Sequence, residues 1–313
     1  MKKKFLLVGG FFLLMVLFLG VQAQAGDFEG KVVFRDGEID LMQVEVPGLA
    51  GAQPTSAFAK KAVAVPFDTY RQVIKKVGVA GPGVRVHTET IWVKGTLFRT
   101  DMNENGEKMG IIFDSKAQKL TTISWKEKRA MVVDVGKMKE SVNNVTKQMG
   151  KAFGMDANAL KQMMQGEQAE EENDLFSLKP TGKKKKINGF KCELYVGTDK
   201  EGNPLQAWLA TPGSTLKQFF NSMEEMTEAI QKIKETEDKE AQFLKKTNKI
   251  PILKKWVENN SDFNFEEFVL MKKQSVSPDL FKVPAGFRVV SMGDMIQNQI
   301  MKLQQLQQKN RNR

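Results

Sequence analysis

Between residues 86 and 135 the chain sets short alternating apolar and polar runs between turn signals so closely spaced that only consecutive strands fit. HTETIWVKG ends at Gly95, TLFRTDM runs into NENG at 103–106, and KMGIIFD, LTTISW and AMVVDV follow, separated by the polar turns SKAQK and KEKR. Asn105-Gly106 suits a two-residue hairpin that needs positive φ. Strands joined neighbour to neighbour in this way make an antiparallel meander. Residues 28–34, FEGKVVF, have the same character and are expected to add a further edge strand. Between them, 46–83 is rich in Pro, Gly and Ala and reads as a loop-rich insertion, with one short helix over DTYRQVIKKVG capped by Asp68.

After Val135 the period changes. Met138, Val142, Val145, Met149 and Phe153 recur at intervals of three and four, which places them on one helical face. Leu160, Met163 and Met164 extend that helix or begin another. The acidic run 167–174 and the basic run 183–186 then bracket an expected flexible, solvated linker. Strands return where Asn188-Gly189 leads into FKCELYVG, DKEGN turns the chain and PLQAWLAT pairs back. Phe190, Cys192, Leu194 and Val196 share one strand face, so Cys192 is expected to be a buried thiol. As the chain's one cysteine it has no intramolecular disulfide partner.

Ser214 caps a second predicted helix, with Leu216, Phe219, Phe220, Met223, Met226, Ile230 and Ile233 at helical spacing. IPILKKWVE and FEEFVLMKKQSVS read as two more strands, SPDLFKVPAGF as a turn-like close, and the Gln-rich tail 291–313 as a final helix.

The start of the chain bears on compartment. Lys2, Lys3 and Lys4 precede an uncharged apolar run over 5–19; Gly20 breaks it, and Ala23-Gln24-Ala25 offers the small-x-small pattern of signal-peptide cleavage. A membrane anchor needs about 20 apolar residues, and this run is shorter. Residues 1–25 are therefore expected to be a cleaved signal peptide, leaving 26–290 as one β-rich domain exported to the periplasm or beyond and soluble there. Removing three lysines and no acid takes the formal charge from +11 to +8. A basic exported protein favours anionic partners such as a membrane surface, and export removes the premise for nucleic acid.

Enzyme chemistry finds little to stand on. His87 is the one histidine, with no second histidine or cysteine to converge on it, so neither a zinc site nor a nucleophile pair is expected. Glu170-Glu171 and Glu224-Glu225 are sequence neighbours in linker or helix contexts, where adjacent side chains point apart. GVAGPGVR lacks the Lys-Ser/Thr of a phosphate loop. No cofactor or metal is expected. The 17 methionines leave two readings open, ordinary packing between helix and sheet or the walls of an adaptable apolar cavity.

Lys94-Gly95 with Arg99 after it, Asn188-Gly189 before the cysteine strand, Trp208, and Phe281 with Pro284 and Gly286 together resemble the exported bacterial family catalogued as domain of unknown function four-four-one-two. The resemblance spans about residues 28–287; the insertion before Val86 and the tail after Met292 depart from it. That family looks distantly like the LolA-type lipoprotein carriers. The resemblance implies an α+β fold, a curved antiparallel sheet forming an incomplete β-barrel covered by amphipathic helices. It also implies a non-enzymatic protein that holds a lipid, a lipoprotein acyl group or a hydrophobic peptide between sheet and helices. Trp92, Phe98, Trp125, Met149, Phe153, Trp208, Phe219, Phe220, Met223 and Met226 are the expected lining. The competing reading is a structural or adaptor protein of the envelope with a filled interior, working through its basic runs and tail. Intact-mass analysis of exported protein is expected to give a chain beginning at Gly26; retention of residues 1–25 refutes the cleavage.

Overall fold

The computed structural model describes residues 28–51, 53–104, 107–135, 175–217, 219 and 239–291. In chain order the elements are β1 (Glu29–Asp40), α1 (Ser56–Ala64), α2 (Phe67–Val77), β2 (Val84–Lys94), β3 (Leu97–Glu104), β4 (Glu107–Asp114), β5 (Lys119–Ser124) and β6 (Arg129–Asp134). They continue with β7 (Ser177–Ile187), β8 (Phe190–Thr198), β9 (Pro204–Ala210), α3 (Lys239–Thr247), β10 (Ile250–Glu258), β11 (Asp262–Lys273), a 3-10 turn over Pro278–Phe281 and β12 (Arg288–Ser291). The strands form one open sheet in the order β12-β6-β5-β4-β3-β2-β1-β11-β10-β9-β8-β7. Every pairing is antiparallel except that of β12, which runs parallel to β6.

The meander β2–β6 follows its turn chemistry. Lys94 pairs with Leu97 around Gly95, whose φ of 57° is open to glycine at no steric cost. Glu104 pairs with Glu107; the Asn105-Gly106 turn between them lies outside the described residues. Asp114 pairs with Lys119 and Ser124 with Arg129, each loop ending in a positive-φ residue, Gln118 or Lys128. The second hairpin system behaves alike: Asn188 and Gly189 both have positive φ, as a tight primed turn demands, and join β7 to β8.

Three expectations are corrected. Residues 28–34 belong to a central strand: β1 pairs with β2 on one side and β11 on the other. Strand character is local, but position in a sheet is set by which distant strand completes the pairing. Residues 46–83 carry two helices rather than loops alone, because Phe58, Ala59, Ala62 and Val63 of α1 and Phe67, Tyr70, Val73 and Ile74 of α2 have the apolar spacing to join the main core. α2 starts behind Pro66 with no side-chain cap, and Asp68 instead pairs with Arg71. The lysine run 183–186 is strand β7, not linker. Leu178 and Ile187 bury its ends, and backbone pairing with β8 needs no apolar alternation in between. The helix predicted over 138–164, the acidic run, most of the helix after Ser214 and the tail from 292 lie outside the described residues; 214–217 are helical. α3 went unanticipated.

Successive residues of a strand point to opposite sides, and β10 makes this visible. Lys254 Nζ donates to Glu240 of α3 (2.8 Å), while Lys255 Nζ donates to the Val65 carbonyl between α1 and α2 (2.9 Å). On the Lys255 side, Tyr70 stacks on Phe263 (3.6 Å, 12°), its hydroxyl donating to the Ala62 carbonyl, and Phe67 meets Phe265. Phe265 can lie across β1 because Gly37 has no side chain; a Cβ there would stand 2.7 Å from the ring. On the other side Leu244 of α3 packs with Leu178, Tyr195, Leu205, Ala207 and Leu209. Cys192 is buried and free, as expected, and burial pushes its thiol up to about 11.

Phe34 is 1% exposed, 5.0 Å from the Phe268 ring and 6.5 Å from Phe219. Phe34→Ala is expected to cost about 3–5 kcal/mol, read as a lower urea midpoint with an unchanged m-value; a cost near zero refutes its place in a packed core.

Candidate functional site

Cross-strand register lines up four ionisable residues distant in sequence. Lys254 of β10 is the direct partner of Glu266 on β11, Glu266 of Asp36 on β1, and Asp36 of His87 on β2. Directly opposed residues share a face, so this is one transverse row. Lys254 is buried, Asp36 and Glu266 are half-buried and His87 is exposed. Glu89, two residues beyond His87 on the same face, is buried and accepts from the Thr100 hydroxyl (2.7 Å).

The row is electrostatically tense. Burial, reinforced by the charge of Glu89, pushes the Asp36 carboxyl up to about 7. Burial does the same to Glu266, also about 7: Lys254 opposes the rise, while Glu240 and Asp36 add to it. Burial raises Glu89 as well, against its Thr100 hydrogen bond. For Lys254, burial works against the ammonium, but Glu240, Glu266 and Asp199 outweigh it and hold its pKa above the ordinary lysine range. On the opposite face burial, with Lys185 pushing the same way, brings Lys255 down to about 7. A second charged knot lies on that face. Glu267, 2% exposed, accepts from Arg71 and from Asn188 Nδ2 (2.9 Å), and its Oε2 stands 3.7 Å from Arg35 without a hydrogen bond.

Asp36, Glu266 and Lys255 are thus the groups that burial brings toward neutrality. Among the described residues no three ligating side chains are placed to hold a metal. The one thiol is buried and kept protonated. The row was not legible in sequence, since its members at 36, 87, 254 and 266 become neighbours only through pairing.

The expected apolar lining is divided. Phe98 and Phe219 join the main core, Phe98 beside Phe113 (6.4 Å) and Phe219 between Phe28 (5.7 Å) and Phe34. Trp92 is on the opposite face from Phe98: Phe98 pairs with Val93, and Trp92 pairs with Arg99. Trp125 shares the Trp92 face in a satellite cluster with Ile112, Ile123, Phe281 and Phe287, beneath the cations of Arg99 (5.6 Å) and Lys108 (4.4 Å). Trp208 packs against the main core with the Lys185 ammonium 4.5 Å from its ring. Met149, Phe153, Phe220, Met223 and Met226 lie outside the residues whose side chains are described. A cleft of about 420 Å³ opens elsewhere, in the loop after β1, between Leu41, Val44, Val46, Leu49 and their polar neighbours; no expected lining residue borders it.

No protein-family model matches the chain, and no curated protein matches it.

The charges predict a pH profile. Asp36 and Glu266, with folded pKa values near 7 against ordinary values of 3.8 and 4.5, bind more protons folded than unfolded between those limits. Their contribution to stability is therefore complete at low pH and lost as pH rises through 7. Lys255, near 7 against 10.5, binds fewer protons folded, so its contribution rises with pH across that interval. The urea midpoint is expected to be lowest near neutrality. Asp36→Asn and Glu266→Gln should flatten the acid limb and Lys255→Met the alkaline limb; parallel profiles for wild type and variants contradict the assignment.

Proposed function

We propose that the protein is a non-enzymatic, extracytoplasmic envelope protein with a LolA-like plan, a curved open sheet carrying amphipathic helices, that works through its surface. The reading rests on one observation. Four of the five described members of the expected apolar lining are engaged by packed neighbours: Phe98 and Phe219 by rings at 5.7–6.5 Å, Trp125 by Phe287 at 6.0 Å, and Trp208 by the core and Lys185; the fifth, Trp92, points to the face opposite Phe98. Side chains already in contact leave little room between them for a ligand. Strand β7, at the edge of the sheet among the described residues, by contrast presents Lys183, Lys184, Lys185 and Lys186, all exposed. A basic surface of this kind selects anionic partners.

The carrier reading draws support from a different feature. Phe219, from the helix that begins at Ser214, enters a cluster already containing Phe28, Phe34, Phe98, Phe113 and Phe268. If the rest of that helix lies across the sheet without filling the space, an apolar ligand has a dry site between them. Native mass spectrometry of the mature protein, with a fluorescent fatty acid titrated into it, separates the two. The surface reading expects no co-purified lipid and no probe binding while the protein is folded. Stoichiometric lipid, together with probe binding that Met223→Glu weakens at unchanged thermal stability, overturns it in favour of the carrier.

A further inference from the structure

The hairpin β7–β8 carries Lys179, Lys183, Lys184, Lys185, Lys186 and Lys191 against a single acid, Glu193. Glu193 lies opposite Lys184 and 4.0 Å from Lys249, and among the described residues Lys179, Lys183, Lys184 and Lys186 have no ion pair. A lysine or two protects an edge strand from pairing with another chain. A consecutive run goes well beyond that need and accumulates self-repulsion in the free protein, which an anionic partner relieves.

Three features choose among anionic partners. All six cations are lysines, compact point charges on flexible stems; arginine, the residue suited to forked recognition of one carboxylate or phosphate, is absent from the hairpin. Consecutive strand residues point to alternate sides, so the charges fan around the edge rather than line a groove. The edge itself is a poor ladder for an added peptide strand, because Pro180 has no N–H to donate and the register shifts between Pro180 and Lys184. Diffuse charge on a rim suits a diffuse negative layer. We propose that the β7–β8 hairpin docks the protein on an anionic lipid bilayer surface through Lys179, Lys183, Lys184 and Lys186. The inference rests on the surface reading above and names its partner.

Co-sedimentation of the mature protein, beginning at Gly26, with phosphatidylcholine vesicles, with or without phosphatidylglycerol, tests it. Binding is expected only with the anionic lipid and should fade as salt shortens the Debye length. At about fivefold per lysine near such a surface, replacing the four lysines with glutamine should weaken binding at least about a hundredfold. Replacing Lys60, Lys75, Lys76 and Lys116, exposed lysines of α1, α2 and the β4–β5 loop, should change it little. Urea midpoints check the fold. If the fourfold variant folds poorly, Lys179→Gln with Lys183→Gln, and Lys184→Gln with Lys186→Gln, each read a loss of about twenty-five-fold. Equal losses for the hairpin and control variants, or equal binding to uncharged vesicles, overturn the proposal. Binding to soluble dextran sulfate but to no vesicle overturns the lipid and leaves the surface reading standing; binding to neither overturns both.

Discussion

β1 is hydrogen-bonded along both edges, to β2 from Glu29 to Ile39 and to β11 from Gly30 to Asp40 around one register shift. Through it the meander β2–β6 and the hairpin system β7–β11 become one sheet rather than two. The pairing with β11 closes more than two hundred residues of intervening chain, so its loop-closure entropy must be offset by the packing that follows. That packing is aromatic: Phe34 and Phe268 face each other across the ladder at the shift, and Phe219 and Phe190 close around them. Non-local pairing of this kind makes for slow folding.

The same ladder determines where charge ends up. Glu266 and Asp36 sit side by side because β1 and β11 are in that register, and Glu267, one residue on, points the other way into Arg71, Arg35 and Asn188. Lys254 and Lys255 divide similarly, one toward Glu240 and the other toward a lone carbonyl. Each face of the central sheet thus holds charged groups beside its apolar cluster. For Asp36, Glu266 and Lys255 the shift toward neutrality follows from burial and the sign of the neighbours.

The segment that follows β11 joins the Trp125 face of the meander, and polar ties fix its start. Glu29 accepts from the Val276 N–H, Lys94 donates to the Val276 carbonyl and Arg99 to that of Leu280. Phe281, Val283 and Phe287 then pack against Ile112, Ile123 and Trp125, and β12 runs parallel to β6. Trp125, expected to line a ligand cavity, is engaged with Arg99 in holding this segment down.

The sequence by itself determined what a few neighbouring residues decide. The hairpins around Gly95 and Asn188-Gly189, the limits of β10, and the burial of Cys192 beside Phe190 all follow from turn residues and period-two patterning. It misjudged segments whose state depends on distant partners. β1 looks like an edge until β11 arrives, the apolar residues of α1 and α2 look scattered until β9–β11 offer a surface, and a lysine run looks like linker until β8 pairs with it. Only the tertiary structure placed Trp92 and Trp125 on the face opposite Phe98, and only it assembled the row Lys254, Glu266, Asp36, His87. Local pattern fixes which way a side chain points relative to its strand; strand order and register fix what it meets, and those come from backbone pairing between parts of the chain that carry no mark of each other.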